Sequence, residues 1–266
     1  MRVSVASKPA IFSLPVPREK AEDLSLSDSS VSPRVSIITV VRNDAPGLAR
    51  TLASVAAQDY ANRQMVVIDG GSTDGTLEML RQHATAIDNW ISEPDEGIYH
   101  AMNKGVVLAD GEWLLFMNAG DEFAGTDALS AAVAVIGTGV DVVYSDWIYR
   151  ENGRLAQAGF DRMNVRHQSV LYRKSLHEVF GLYVVGRGVT ISDFVFFLSL
   201  ANRRWAYCAH PISVCDKAGV SGKPTHFYQR MAIELLFGRR SRVAVALILL
   251  LHPLYRFLKR NVLGKR

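Results

Sequence analysis

From residue 238 to residue 266 the sequence has no acidic side chain, against eight basic ones: Arg239, Arg240, Arg242, Arg256, Lys259, Arg260, Lys265 and Arg266. The whole chain of 266 residues has 30 Lys+Arg and 26 Asp+Glu, so setting those eight aside leaves 22 basic against 26 acidic. The net charge of +4 therefore belongs to a tail. That weakens a nucleic-acid reading, which wants a basic groove across the fold, and no nucleic acid is expected as a partner. Cysteine is scarce. Cys208 and Cys215 are the only two, with no histidine spacing that suggests zinc, and they read as small core residues in a reducing compartment. No apolar run reaches the ~20 residues of a membrane span. The N-terminal stretch lacks a continuous apolar segment with a small-residue cleavage site, so no signal peptide is expected. Residues 1–33, rich in Ser and Pro (Pro9, Pro15, Pro17), read as a flexible extension, with a regulatory or partner-binding role left open. There is no internal repeat.

What is present is ordinary globular material, 48% hydrophobic and 21% charged, long enough for one full core with appendages. It is organised around Val66-Val67-Ile68-Asp69-Gly70-Gly71-Ser72-Thr73-Asp74-Gly75. An apolar run ends there in an acidic, glycine-rich turn. Ser72, Thr73 and Asp74 suit the cap of a helix whose Leu77 and Leu80 share a face. Strand, turn and helix of this kind lie at the carboxyl edge of an open α/β sheet, where ligands bind. The turn has neither GxGxxG nor GxxxxGK(S/T) spacing, so it is not a bare phosphate cradle. A carboxylate at a strand end instead accepts hydrogen bonds from a base N–H or a ribose hydroxyl.

In chain order, residues 35–41 are nearly all apolar or β-branched and predict a buried parallel strand. Asp44 caps a following helix with Pro46 in its first turn and Leu48, Leu52, Val55 and Ala56 as its apolar stripe. Residues 65–68 form a second strand closing in Asp69, which completes a right-handed βαβ unit. A helix starts near Asp74. Trp90-Ile91-Ser92 is a third strand, running into the turn Glu93-Pro94-Asp95-Glu96-Gly97. Ile98, Met102 and Val106 mark the next helix, and residues 113–117 a fourth strand ending in Asn118-Ala119-Gly120-Asp121. Three successive strands thus end in acidic turns, at Asp69, Asp95 and Asp121, which share one edge of a parallel sheet. Further on come a helix over 127–136, a strand Val142-Val143-Tyr144 followed by Ser145-Asp146, a hairpin turn at Glu151-Asn152-Gly153-Arg154, and a strand over 168–172. A helix starts near Ile191 with Asp193 in its first turn and Phe194, Phe197 and Leu198 buried. A strand covers 206–214.

Taken together, Val35-Ser36-Ile37-Ile38-Thr39-Val40, Val67-Ile68-Asp69-Gly70-Gly71-Ser72-Thr73-Asp74-Gly75-Thr76, Ser92-Glu93-Pro94-Asp95-Glu96-Gly97-Ile98-Tyr99, Ala101-Met102-Asn103-Lys104-Gly105, Gly111-Glu112-Trp113-Leu114 and Asn118-Ala119-Gly120-Asp121 resemble a family 2 glycosyltransferase of the GT-A fold, of the bacterial exopolysaccharide, capsule or lipopolysaccharide type. The resemblance covers 35 to about 220. It implies an α/β fold with a Rossmann-like, mostly parallel sheet flanked by helices over residues 34–224, and an inverting transfer of a sugar from a nucleotide-sugar to an acceptor hydroxyl. On this sequence the nucleotide-sugar would be held by Thr39, Val41, Arg42 and Asp69, the last facing the base, with Asp95 in the donor-side loop, Lys104 in the helix after it, and Asn118 and Gly120. A uridine nucleotide is expected by family frequency alone. The family's DxD element falls on Asn118-Ala119-Gly120-Asp121, with Asn and Gly in place of its aspartates. Asp121 is left to hold Mg²⁺ or Mn²⁺, or merely to cap the segment that follows. The general base of the family matches Asp193, with Asp146 as a competitor. His167 and Gln168 resemble a pair on the acceptor side, a structural histidine being the plain alternative. Residues 219–222 resemble a late loop that closes over the donor, or are a simple connection.

Residues 225–266 read as a basic amphipathic helical tail. Its apolar run, 243–251, is flanked by arginines and interrupted by Pro253, which suits a helix lying on an anionic membrane surface better than one crossing it. Packing on the domain or on a second subunit is the other reading. The expected place is cytoplasmic, peripheral on the inner face of the plasma membrane, with a glycan or lipid-linked glycan as acceptor. Two other function classes stand beside the enzyme. One is a family member that has lost catalysis and serves as a scaffold, suggested by the altered DxD element. The other is a nucleotidyltransferase, disfavoured because no glycine cluster follows the first strand.

Overall fold

The computed structural model describes residues 32–159, 164–217 and 224–258. Nearly all of the expected N-terminal extension, the loop at 219–222 and the end of the basic tail lie outside those residues. The first half alternates strand and helix: β1 (Val35–Val41), α1 (Ala45–Ala56), β2 (Arg63–Asp69), α2 (Thr76–Gln82), β3 (Asn89–Ser92), α3 (Ile98–Leu108) and β4 (Trp113–Phe116). The second half is β5 (Glu122–Phe123), α4 (Ala128–Ala134), β6 (Val142–Tyr149), β7 (Leu155–Ala156), a 3₁₀ turn (His167–Ser169), β8 (Val170–Arg173), α5 (Leu176–Phe180), α6 (Ser192–Ser199), β9 (Trp205–Cys215), α7 (Pro224–Leu236) and α8 (Arg242–Leu258).

All the strands join one sheet in the order β3-β2-β1-β4-β8-β6-β9-β5, with β7 hairpinned onto β6. β1 to β4 are mutually parallel, so the loops that follow them meet at one edge. β8 runs antiparallel between β4 and β6, which turns its N-terminal end, and the 3₁₀ turn before it, to that same edge. The apolar, non-alternating spelling of β1 follows from cover on both faces. Ile38 and Val40 pack with Met102 and Val106 of α3, and Ile37 and Val41 pack with Leu48, Leu52 and Val55 of α1 and Leu80 of α2. Each such side chain contributes roughly 1.5–3 kcal/mol by leaving water.

The helix caps explain the boundaries. Asp44 Oδ1 accepts the Gly47 N–H at 2.9 Å, satisfying a free donor at the start of α1. Asp74 does not head α2 as expected. It stands two residues before the helix and accepts from the Thr76 backbone N–H at 3.2 Å and the Thr76 hydroxyl at 2.6 Å. Ala56, expected on the buried stripe, is exposed at the last turn of α1. In α6 it is Phe196 that joins Phe197 and Leu198 in the core, with Phe194 half-buried. β6 continues through Ser145 and Asp146, its pairing with β9 shifted by an irregularity between Ser145 and Trp147. Gln168 belongs to the 3₁₀ turn, and β8 starts only at Val170.

Helix α3 lies close on β1 because Gly105 has no side chain. A Cβ there would stand 2.4 Å from Ile38 Cγ2, a fully buried, β-branched side chain that cannot swing away. Gly105→Ala would gain up to about 1 kcal/mol of helix propensity and lose roughly 1–3 kcal/mol to overpacking. We expect a net loss of stability, read as a lowered thermal midpoint by circular dichroism. An unchanged or raised midpoint would contradict the close packing of α3 on the sheet.

Candidate active site

The shared edge has two halves. The first is formed by the loops after β1, β2 and β3. Asn43 has a φ of 53°, the left-handed conformation that asparagine tolerates. In that pose its backbone N–H donates to Ser72 Oγ at 2.7 Å and its Oδ1 accepts the Thr73 N–H at 2.8 Å. Ser72 in turn donates its hydroxyl and its backbone N–H to Asp69, and Ser92 Oγ donates to Asp69 Oδ2 at 2.6 Å. Asp69 is fully buried. It knits three loops together and, in this conformation, offers no atom to an incoming base. Thr39 is buried likewise, its hydroxyl donating to the Met117 carbonyl at 2.7 Å, and Val41 is buried at the end of β1.

A Cβ on Gly70 would stand 2.9 Å from Asp95 Oδ2 and 3.4 Å from Arg42 Cδ, so both side chains crowd this turn. Asp95 is paired with Lys104 Nζ at 2.5 Å, and the same ammonium reaches Glu93 at 2.9 Å. Burial alone would lower the Lys104 pKa, but the bonds to Asp95 and Glu93 outweigh it and raise it. Lys104 therefore pins the loop after β3. Arg42 is exposed and has no ion pair among the described residues, which leaves its charge open to a phosphate.

The second half joins the loop after β4 to α3, α6 and the 3₁₀ turn. Thr51, on the buried side of α1, shapes that loop: its Oγ1 accepts the Gly120 N–H at 3.0 Å and donates to the Asp121 carbonyl at 2.7 Å. Gly120 itself has φ +94°, a conformation that suits glycine, and its carbonyl accepts from the Arg150 guanidinium. Gln168 Nε2 donates to Asp121 Oδ2 at 2.9 Å. Next to it, His167 places Nδ1 2.9 Å from Asp193 Oδ2 and Nε2 2.9 Å from Asn118 Nδ2. The Tyr99 hydroxyl, from α3, donates to Asp193 Oδ1 at 2.7 Å. Asp121 and Asp193, 72 positions apart by their numbering, are thus connected through two consecutive residues.

Their electrostatics differ. Burial pushes the Asp121 carboxyl up to about 6, against the Gln168 bond and the nearby His167 that pull it down. Burial also raises Asp193, but the hydrogen bond and charge of His167 and the Tyr99 hydroxyl prevail and hold it below the usual carboxylate range. Asp193 is ionised at neutral pH with its side chain 21% exposed. Among the described residues no cluster of three His, Cys, Asp or Glu side chains could hold a metal unaided. A buried carboxylate with a raised pKa and one amide donor instead fits an ion shared with a ligand's phosphates, as hard divalent cations accept.

The edge therefore gathers Arg42, Asp95, Lys104, Asn118, Gly120, Asp121, His167, Gln168 and Asp193, and buries Thr39, Val41 and Asp69 beneath it. Asp146 does not compete with Asp193. It is buried in β6, where its Oδ1 accepts the Ala158 N–H at 2.8 Å. Contributors not anticipated include Tyr99 and Thr51. Thr51 had a signal, a polar residue three after Leu48 on the apolar stripe of α1.

Comparison with known proteins bears on the family and the fold. The model of the family described as Glycosyl transferase family 2 matches residues 36–194, more than half of the chain. A PGL/p-HBAD biosynthesis glycosyltransferase of Mycobacterium tuberculosis is 36% identical over 163 residues, covering 57% of this chain and 64% of that protein. Glycosyltransferase AglE of Haloferax volcanii is 32% identical over 164 residues, covering 59% of this chain and 54% of AglE. The chain thus matches less than two thirds of the length of these relatives. Among solved structures, Staphylococcus aureus TarS residues 1–349 in complex with UDP superposes with a TM-score of 0.63 at 21% identity, covering 77% of this chain and 65% of that one. The mannosyltransferase PcManGT of Pyrobaculum calidifontis, in complex with GDP-Man and Mn²⁺, gives a TM-score of 0.61 at 20% identity, covering 80% and 66%. These likenesses bear out the GT-A type of fold, and the chain belongs to glycosyl transferase family 2.

Proposed function

We propose that the protein transfers a sugar, with inversion, from a nucleotide-sugar to an acceptor hydroxyl, a UDP-sugar being the foremost donor. The acceptor is a glycan or lipid-linked glycan in exopolysaccharide, capsule or lipopolysaccharide assembly. The observation that carries this reading is an ionised, partly exposed Asp193 linked through His167 and Gln168 to the loop of Asp121. Arg42, Asp95, Asn118 and Gly120 line the donor side, with Lys104 holding the loop and Asp69, Thr39 and Val41 forming its floor.

In the reaction, Asp193 takes the proton of the acceptor hydroxyl as its oxygen attacks the anomeric carbon. The bond from that carbon to the phosphate oxygen breaks on the opposite face, and the electron pair leaves with the nucleoside diphosphate. Asp121 would hold a Mg²⁺ or Mn²⁺ ion, which supplies positive charge to the leaving diphosphate. Arg42 adds a fixed charge from the protein. His167 and Gln168 keep the base and the loop of Asp121 in register.

Asn118 and Gly120, in place of the acidic residues of the family element, favour a second reading, a catalytically impaired scaffold in an assembly complex. One assay separates the two. Release of nucleoside diphosphate is measured across UDP-, GDP- and dTDP-sugars with an acceptor extract and Mg²⁺ or Mn²⁺. We expect turnover with one donor, and a fall of roughly 10²- to 10⁴-fold in Asp193→Asn, the range of general-base catalysis. Silence with every donor supports the scaffold. Chelation by EDTA, or Asp121→Ala, should abolish turnover, and full activity in EDTA would remove the metal from the mechanism.

The tail bears on the acceptor. Val243, Leu247, Leu250 and Leu251 are exposed at spacings that make one stripe along α8, with Leu236 at the end of α7 also exposed, while Val245 and His252 turn inward, the latter stacked on Phe227. No helix of the described residues is long and apolar enough to cross a membrane. The stripe beside Arg239 and Arg242, with Arg240 paired to the buried Glu234, suits the inner, anionic face of a plasma membrane, from which a lipid-linked acceptor is reached. Leu247→Glu with Leu250→Glu should abolish co-sedimentation with vesicles containing phosphatidylglycerol and leave soluble-acceptor turnover intact. Equal sedimentation of variant and wild type would refute the contact.

A further inference from the structure

Helix α6 brings Asp193 to the edge, yet its own first residues do little to fix its direction. Ile191 provides no side-chain cap, and the Ser192 hydroxyl is taken by the Val184 N–H at 2.6 Å. The segment leading into α6 has glycines at 186 and 188, the second with a φ of +78°, and glycine gives a chain little stiffness. The tail supplies the constraint. Gln229 of α7 accepts the Thr190 N–H at 3.0 Å and the Thr190 hydroxyl at 3.1 Å on Oε1, while its Nε2 donates to the Gly188 carbonyl at 2.6 Å. One turn earlier, His226 donates from Nδ1 to the Thr190 carbonyl at 3.1 Å. Residues three apart share a helix face, so one face of α7 holds both backbone groups of Thr190. The next residue, Arg230, lies 4.8 Å from the centroid of the Phe194 ring, and Phe194 follows Asp193 directly. Arg230 is itself fixed by the buried Glu234 at 2.9 Å.

We propose that Gln229 and His226 are positioning residues for Asp193, so that α7 belongs to the catalytic unit while α8 carries the membrane stripe. The proposal rests on the reading of Asp193 as the general base. Thr190 stands three residues before Asp193, with an uncapped helix start between them. A displacement of residues 188–190 is therefore passed on to the first turn of α6. There Asp193 must keep its bonds to Tyr99 at 2.7 Å and His167 at 2.9 Å and still come within hydrogen-bond reach of an acceptor hydroxyl. The segment shows α7 an acceptor at Gly188 and two donors at Thr190. A glutamine amide answers both kinds with one neutral group. None of these α7 residues is among those that gather at the donor side, so their effect on catalysis passes through the base.

The test uses the full chain and compares wild type, Gln229→Met, His226→Phe, Asp193→Asn and the double variant Gln229→Met/Asp193→Asn. Methionine keeps the length of the side chain and its helix propensity but makes none of the three bonds; phenylalanine keeps a ring at 226 without its N–H. With a soluble acceptor, kcat of Gln229→Met should fall by roughly 10- to 100-fold, the cost of misplacing a catalytic group by about 1 Å, while donor KM stays within about threefold. His226→Phe should fall in the same direction by less. Hydrogen exchange over residues 186–194 should quicken in both while that of β1, β2 and β4 is unchanged. In the Asp193→Asn background the same Gln229→Met change should alter the residual turnover by less than about twofold, because no base remains to be positioned. Unchanged kcat in both single variants overturns the proposal. An equal fold-loss with and without Asp193 overturns it too, since α7 would then support the fold in general and not the base. Failure of the underlying reading is separate: Asp193→Asn alone would keep wild-type turnover.

Discussion

A carboxylate with no contact to water stands at the end of β2, and the donor half of the sheet edge is built around satisfying it. Removing a charge from water costs several kcal/mol unless hydrogen bonds replace the lost hydration. Asp69 recovers it from the Ser72 backbone, the Ser72 hydroxyl and the Ser92 hydroxyl. Ser92 ends β3, and Ser72 also accepts from Asn43, which follows β1. Three loops that are distant in sequence are therefore fixed by one buried charge. Gly70 stands in the same turn, where a side chain would meet Asp95 and Arg42, and Gly71 holds a φ of +75° beside it.

Three aspartates near one edge have three different environments. Asp69 is buried among donors and acts on the structure. Asp121 is buried with one amide donor, which pushes its carboxyl up to about 6 and gives it reason to hold a cation. Asp193 is partly open to solvent, flanked by His167 and Tyr99, and stays ionised. The division follows from what surrounds each group, and groups whose environments separate them are candidates for different tasks.

The parallel half of the sheet was legible in the sequence because β1, β2 and β4 are buried on both faces, and β1 to β4 each end in a turn of recognisable composition. The place of Asp193 in the first turn of a helix was legible too, whereas its role as base comes from the family resemblance. Partners were not. Asp69 reads as ligand-facing because it ends a strand, yet its oxygens are bound to serines three and 23 positions away. Lys104, expected on the donor side, is spent on Glu93 and Asp95. Asp146 resembled a base because a polar residue after an apolar run looks like a strand end. The strand in fact continues past it, and its carboxylate holds the Ala158 backbone. β5 has two residues, too few to carry any periodic signal.

The sequence predicts a strand through Gln168, and a 3₁₀ turn forms there instead. In a strand, consecutive side chains point to opposite faces of the sheet. His167 and Gln168 would then be separated by the sheet itself, and only one of them could serve the edge. A 3₁₀ turn has about three residues per turn, so neighbouring side chains diverge by roughly 120°. Both then remain on the same rim but reach different elements, Gln168 to Asp121 after β4 and His167 to Asp193 on α6. Delaying the start of β8 to Val170 is thus what lets a pair of adjacent residues span the distance between Asp193 and the loop of Asp121.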